Sequence, residues 1–116
     1  MYTWARFRIH PGKAAQFKAL AQQCVDIVRE REPGTIFYEW FMNADDTECV
    51  AIDGYVDLDA VMQHVQNIGP LMRQLMSISD RELQIYGANP MARFAGKTTA
   101  QGNDYWGAQF AGMIRG

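Results

Sequence analysis

The stretch from Ile36 to Asn43, Ile-Phe-Tyr-Glu-Trp-Phe-Met-Asn, admits few solutions because large apolar side chains fall on both of its alternating faces. Ile36, Tyr38, Trp40 and Met42 oppose Phe37, Glu39, Phe41 and Asn43, whereas a strand with one face in water needs only one apolar side. The polar run Ala44-Asp-Asp-Thr47 follows, and then a second β-branched and aromatic run, about Glu48–Val56. The pair reads as a β-hairpin covered on both sides, by helices on one and most cheaply by a second copy of the chain on the other.

The remaining periodicities place this hairpin in a larger order. Residues 2–9 alternate, with Thr3, Ala5, Phe7 and Ile9 facing one way and Tyr2, Trp4, Arg6 and Arg8 the other, and His10-Pro-Gly12 ends the strand. From Lys13 to about Arg31, Ala14, Phe17, Leu20, Ala21, Cys24, Ile27 and Val28 make a helical stripe closed by Glu32-Pro-Gly34. Asp57 or Asp59 caps a second helix with Leu58, Val61, Met62 and Val65 on its buried side. Gly69-Pro70 interrupts that helix, Leu71, Met72, Leu75 and Met76 resume it, and Ile78–Gly87 alternate as a fourth strand. The order is βαββαβ, which closes as an α+β, ferredoxin-like fold: a four-stranded antiparallel sheet with both helices on one face. Residues 1–87 form this domain. Residues 88–116 are a glycine- and aromatic-rich extension, with Tyr105, Trp106 and Phe110, expected to pack on the domain, the pocket mouth or a partner subunit.

At 116 residues there is one core. A net charge of −2 with scattered Lys and Arg gives no basic stripe for nucleic acid, and no apolar run approaches the ~20 residues of a membrane span. The first residues lack the order of a signal peptide, so a cytoplasmic protein is expected. Cys24 and Cys49 lack CxxC spacing and read as reduced, partly buried thiols.

Chemistry points to the hairpin and the second helix. His64 sits at the border of that helix's apolar stripe, where an imidazole reaches a ligand and exchanges a proton near neutral pH. Tyr38, Trp40, Tyr55 and Tyr86 offer flat surfaces with polar tips, suited to an aromatic or quinone-like ligand. Asp53, Glu39, Arg6 and Arg8 read as sharing the phase of the more polar sheet face, and His10 as a turn residue. No glycine-rich phosphate loop, His-x-x-x-His, serine elbow or acidic metal cluster occurs, so no cofactor or metal is expected.

Taken in order, Pro11-Gly-Lys13 with Phe17, Glu32-Pro-Gly-Thr35 with Tyr38, and Tyr55 with Asp59-Ala60 and His64 resemble the antibiotic biosynthesis monooxygenase domain of the dimeric α/β-barrel superfamily, over about residues 2–87. The resemblance implies a homodimer whose sheets pack face to face and a ligand cavity in each subunit between sheet and helices. Members of the family include cofactor-free oxygenases of polycyclic phenols or quinols, haem-degrading enzymes and an isomerase of a phosphorylated sugar, so the fold alone selects no chemistry. By position, Tyr55 stands where several oxygenases have tryptophan, and His64 matches the helix histidine of the quinol-oxygenase and isomerase-like branches. Ala51 stands where an asparagine is common, and there is no second helix histidine for haem.

The reading that results is a cofactor-independent monooxygenase of a small phenol or quinol. His64 would take the hydroxyl proton, Tyr55, Tyr38 and Trp40 would orient the ring, and Phe7, Met62 and Met72 would exclude water. Two alternatives stand beside it. One is an isomerase of a small hydroxyketone, phosphorylated or not, which needs Arg73, Arg81 or Arg93 to converge on the cavity. The other is a non-catalytic metabolite-binding dimer.

Overall fold

In the computed structural model, residues 1–87, 97–98, 103–106 and 109–115 are described. The elements are β1 (Tyr2–Ile9), α1 (Ala14–Arg31), β2 (Thr35–Met42), β3 (Glu48–Tyr55), α2 (Leu58–Ser77), β4 (Ser79–Tyr86), β5 (Lys97–Thr98) and β6 (Asn103–Trp106). β2, β3, β1 and β4 lie side by side in that order, all antiparallel, which is the ferredoxin-like arrangement expected of βαββαβ. From the extension, β6 joins the β4 edge in parallel register, Leu83 opposite Asn103 through Tyr86 opposite Trp106, and β5 pairs with β6.

Register decides which side chains meet the helices. Thr3, Ala5 and Phe7 of β1 stand opposite Asp53, Ala51 and Cys49 of β3 and opposite Ile85, Leu83 and Arg81 of β4, so all nine share the helix-facing side. β2 adds Tyr38, Trp40 and Met42. Phe7 and Phe17 are fully buried and meet edge to face at 5.2 Å, and Trp40 stacks on Phe7 at 5.4 Å. Leu20, Cys24 and Val28 of α1 with Ile68 and Leu75 of α2 complete the core.

Three local readings differ from the expectation. Asp53 is on the helix-facing side, away from Glu39, Arg6 and Arg8, because it pairs with Thr3 and Tyr38 in register. Ile36 leaves the alternation of β2: the ladder shifts register between Thr35 and Phe37, and Ile36 is exposed. α2 runs unbroken through Gly69-Pro70. Pro70 forgoes its bond to the carbonyl of Gln66, but both residues lie on the exposed face, while Ile68 and Leu75 anchor the helix on either side. Of the two candidate caps, Asp57 does the work, accepting a 2.8 Å hydrogen bond from the Ala60 amide.

The other sheet face holds the charges. Arg6 pairs with Glu48 at 2.7 Å and Arg8 reaches Glu82 at 3.5 Å. Around them Tyr2 and Phe41 are exposed, with Phe37 stacked on Tyr2 at 6.3 Å. Among the described residues no helix is long and apolar enough to cross a membrane.

Candidate active site

A cavity of about 510 Å³ lies between the helix-facing side of the sheet and α2. It falls in the ~300–1,000 Å³ range of small-molecule sites. Its origin is legible in the register: Ala5 and Ala51 are cross-strand partners in the middle of the sheet, and two methyl groups leave space under α2 that bulkier pairs would fill. Leu83, Ile68 and Met72 give it apolar walls, and Thr3, Asp53, Tyr55 and His64 form a polar end.

All seven residues singled out from the sequence line this cavity: His64, Tyr55, Phe7, Tyr38, Trp40, Met62 and Met72. His64 is only 6% exposed, and Met62, at 60%, stands at the mouth. The rings make a continuous path into the polar end, with Trp40 against Tyr38 at 5.5 Å, Tyr38 against His64 at 5.0 Å and Tyr55 against His64 at 5.3 Å. The Tyr55 hydroxyl is committed to the Asp53 carboxylate rather than left free for a ligand. Tyr86 sits apart, stacked on Trp106 at 6.4 Å. His10 lies at the end of β1, 3.4 Å from Asp80.

The polar end is a chain of buried groups. His64 Nδ1 lies 2.8 Å from Oε1 of Glu32, which also accepts from the Thr35 hydroxyl at 2.8 Å, while Oε2 accepts from the Asn67 amide at 3.2 Å. His64 Nε2 faces Oδ2 of Asp53 at 3.7 Å. Asp53 in turn accepts the hydroxyl of Thr3 on Oδ1 and that of Tyr55 on Oδ2. Burial pushes the Asp53 carboxyl above the usual carboxylate range, against the lowering effect of the two hydroxyls and of His64. Tyr55 is driven far up by burial and then by the Asp53 charge, and burial raises Tyr38 as well, so both phenols stay protonated donors.

Glu32 and Asp53 are in the site but are not candidates from the sequence, where Asp53 reads as part of the polar sheet face. Glu32 looked like a helix terminator, but at the C-cap its backbone leaves the helical region (φ −125°, ψ 78°) and its carboxylate lies buried against α2. Pro33-Gly34 marks the turn in the sequence but not the inward carboxylate, which the hydroxyl of Thr35, three residues on, holds. The Tyr38 hydroxyl and the Trp40 indole N–H are buried at the cavity wall and complete no well-formed hydrogen bond, although the Cys24 thiol stands beside Tyr38. Cys24 and Cys49 are free and buried, and burial lifts both thiols to about 11. Arg73 and Arg81 are also on the cavity wall, and Arg93 lies outside the described residues.

Residues 1–74 match the family model described as antibiotic biosynthesis monooxygenase. Among solved structures, SnoaB of Streptomyces nogalater, a cofactor-independent oxygenase, is 25% identical with a TM-score of 0.62 over 71% of this chain and 85% of its own. MupZ of Pseudomonas fluorescens is 16% identical, but its fold follows 97% of this chain and 93% of its own with a TM-score of 0.70. Rv0793 of Mycobacterium tuberculosis, 20% identical, gives 0.61 over 71% of this chain and 89% of its own. No curated protein matches the sequence.

Proposed function

The chain belongs to the antibiotic biosynthesis monooxygenase family, and on that premise we propose that it is a cofactor-independent monooxygenase of a small phenol or quinol. One observation carries the reading: a buried imidazole, fixed through Nδ1 by a buried carboxylate, opens onto an otherwise apolar cavity of small-molecule size. The likeness to SnoaB, a cofactor-independent oxygenase, supports it.

In this reading the ligand ring lies among Trp40, Tyr38 and Phe7, with its hydroxyl at the polar end. The Tyr38 hydroxyl and the Trp40 N–H stand beside one another and the Cys24 thiol without a well-formed hydrogen bond, and both offer a donor to a ligand oxygen. His64 promotes loss of the hydroxyl proton, and Glu32 fixes its ring. The oxyanion gives up an electron to dioxygen far more readily than the neutral phenol. The substrate is then its own reductant: one oxygen atom enters the product and the other leaves as water. Phe7, Met62 and Met72 keep bulk water out, which strengthens every charge interaction inside.

The exposed Tyr2 and Phe41 beside the Arg6–Glu48 pair favour burial of the outer sheet face against a second copy. A monomer in sedimentation would remove this part of the reading. A second chemistry, isomerisation of an anionic hydroxyketone, is favoured by one observation, the presence of Arg73 and Arg81 on the cavity wall. Oxygen uptake with a panel of quinols separates the two, since an isomerase consumes none. For the oxygenase, His64→Ala lowers turnover by at least tenfold in a protein that stays folded, as loss of a group worth ~10²–10⁴-fold requires; unchanged turnover removes His64 from the mechanism.

A further inference from the structure

The two sides of the His64 ring are not alike. Nδ1 makes a full hydrogen bond to Glu32 at 2.8 Å, whereas Nε2 stands 3.7 Å from Asp53 Oδ2, too far for one. With Nδ1–H given to Glu32, a neutral ring would aim a lone pair at a buried carboxylate. Two buried carboxylates facing one uncharged ring also leave two negative charges uncompensated, an expensive state away from water. One further proton held between Nε2 and Oδ2 removes the first penalty and leaves one uncompensated negative charge instead of two.

The gap also has the dimensions of a binding site. A hydroxyl oxygen at an ordinary ~2.8 Å from both atoms would see them about 80° apart, so that it donates to one and accepts from the other with both hydrogen bonds somewhat bent. His64 and Asp53 both line the cavity, so a ligand oxygen can reach that position.

We infer that Asp53 is a catalytic residue paired with His64, and that a ligand hydroxyl bridges Nε2 and Oδ2, receiving a hydrogen bond from the ring and passing its own proton to the carboxylate. This rests on the reading above and changes the proton's destination. The ligand O–H bond breaks, an Asp53 O–H bond forms, and the oxyanion remains beside the Nε2–H that stabilises it. The same proton is held close for return when oxygen is reduced. Thr3 and Tyr55 aim Asp53 through their hydroxyls, and Glu32 aims the ring, which makes these three positioning residues.

The groups facing the pair are Glu32 from the end of α1, Asn67 on α2, Tyr38 from β2, Tyr55 from β3 and Thr3 from β1. On the same cavity wall stand Met1, whose carbonyl accepts from the Tyr55 amide at 3.0 Å, and the cations Arg73 and Arg81. Burial holds the Asp53 carboxyl above its ordinary range, which suits a group that must receive a proton.

Asp53→Asn tests this, since the amide keeps the shape and an accepting oxygen but cannot take the proton. In ¹⁵N-labelled, ligand-free protein, long-range ¹H–¹⁵N spectra follow the two histidines, with exposed His10 as internal reference. The His64 Nε2 signal changes in Asp53→Asn while those of His10 do not move. A His64 spectrum identical in the two proteins overturns the pairing. This arm stands even if the protein consumes no oxygen with any quinol, the result that would defeat the oxygenase reading instead. With a substrate in hand, Asp53→Asn lowers kcat at least 100-fold and KM changes less than threefold. A kcat within threefold of the parent, with His64→Ala inactive, returns the proton to His64 alone.

Discussion

Replacing Glu32 by alanine is the most revealing perturbation of the buried chain, because one carboxylate accepts three hydrogen bonds there. The three donors fare differently once it is gone. Thr35 and Asn67 are half-buried and turn toward water, so each loses the ~1.5–3 kcal/mol of a charge-assisted bond only in part. His64 Nδ1–H cannot follow, since the ring is enclosed by Tyr38, Tyr55 and α2; an orphaned buried donor costs about 1–3 kcal/mol. Relief of a desolvated carboxylate offsets some of this. The sum falls near the ~3–5 kcal/mol typical of breaking a buried charged contact from one side. Chemical denaturation by urea at fixed protein concentration reads the change directly, and it is a large share of the ~5–15 kcal/mol that holds a domain together. Glu32→Gln separates volume from charge: its amide oxygen still accepts from His64, and Asn67 flips to accept from its NH₂, so the loss is about 1 kcal/mol. A Glu32→Ala loss below ~1 kcal/mol would mean that His64 finds another partner and that Glu32 does not fix the ring.

A methyl added at Gly34 would come within 2.7 Å of the Ala60 side chain, where the loop after α1 crosses the first turn of α2, so Gly34→Ala costs about 1–3 kcal/mol, read as a lower urea midpoint. For Asp53 the sign runs against habit: its folded pKa is raised, so its contribution to stability is greatest below the unfolded value near 3.8 and declines as pH rises through the folded one. Asp53→Asn is therefore more stable than the parent at pH 7, and thermal melts show the two converging as pH falls toward 4; a gap that widens on acidification would refute the raised pKa.

The architecture was legible because each element repeats at its own period: alternation in Tyr2–Ile9 and Glu48–Tyr55, a helical stripe in Ala14–Arg31, and short polar turns between. The cavity-lining aromatics and His64 followed from that frame. What misled was face assignment in β3. Its helix-facing residues, Cys49, Ala51 and Asp53, are smaller and more polar than Val50 and Ile52 on the other side, so the usual rule that the greasier face is the buried one inverts. Both faces are candidates for burial in such a strand, and only the pairing of Asp53 with Thr3 and Tyr38 fixes which is which. Glu32 was invisible for a different reason: its partners, His64 and Asn67, are more than thirty residues away in sequence, and no local pattern encodes that approach.

That inversion and the chemistry have one cause. A sheet that presents alanines and a carboxylate to its helices gives up packing at its centre, and an emptied core is destabilising in proportion to the atoms missing. The fold sustains this because Phe7, four residues along β1 from the Thr3–Asp53 pair, packs edge to face on Phe17, and both are fully buried with Leu75, so α1 and α2 are held at the end of the sheet away from Asp53. Stability and ligand space are thus divided along the strands of one small sheet. The polar end then sets a histidine between two buried carboxylates on the cavity wall, the kind of titratable cluster that functional sites use.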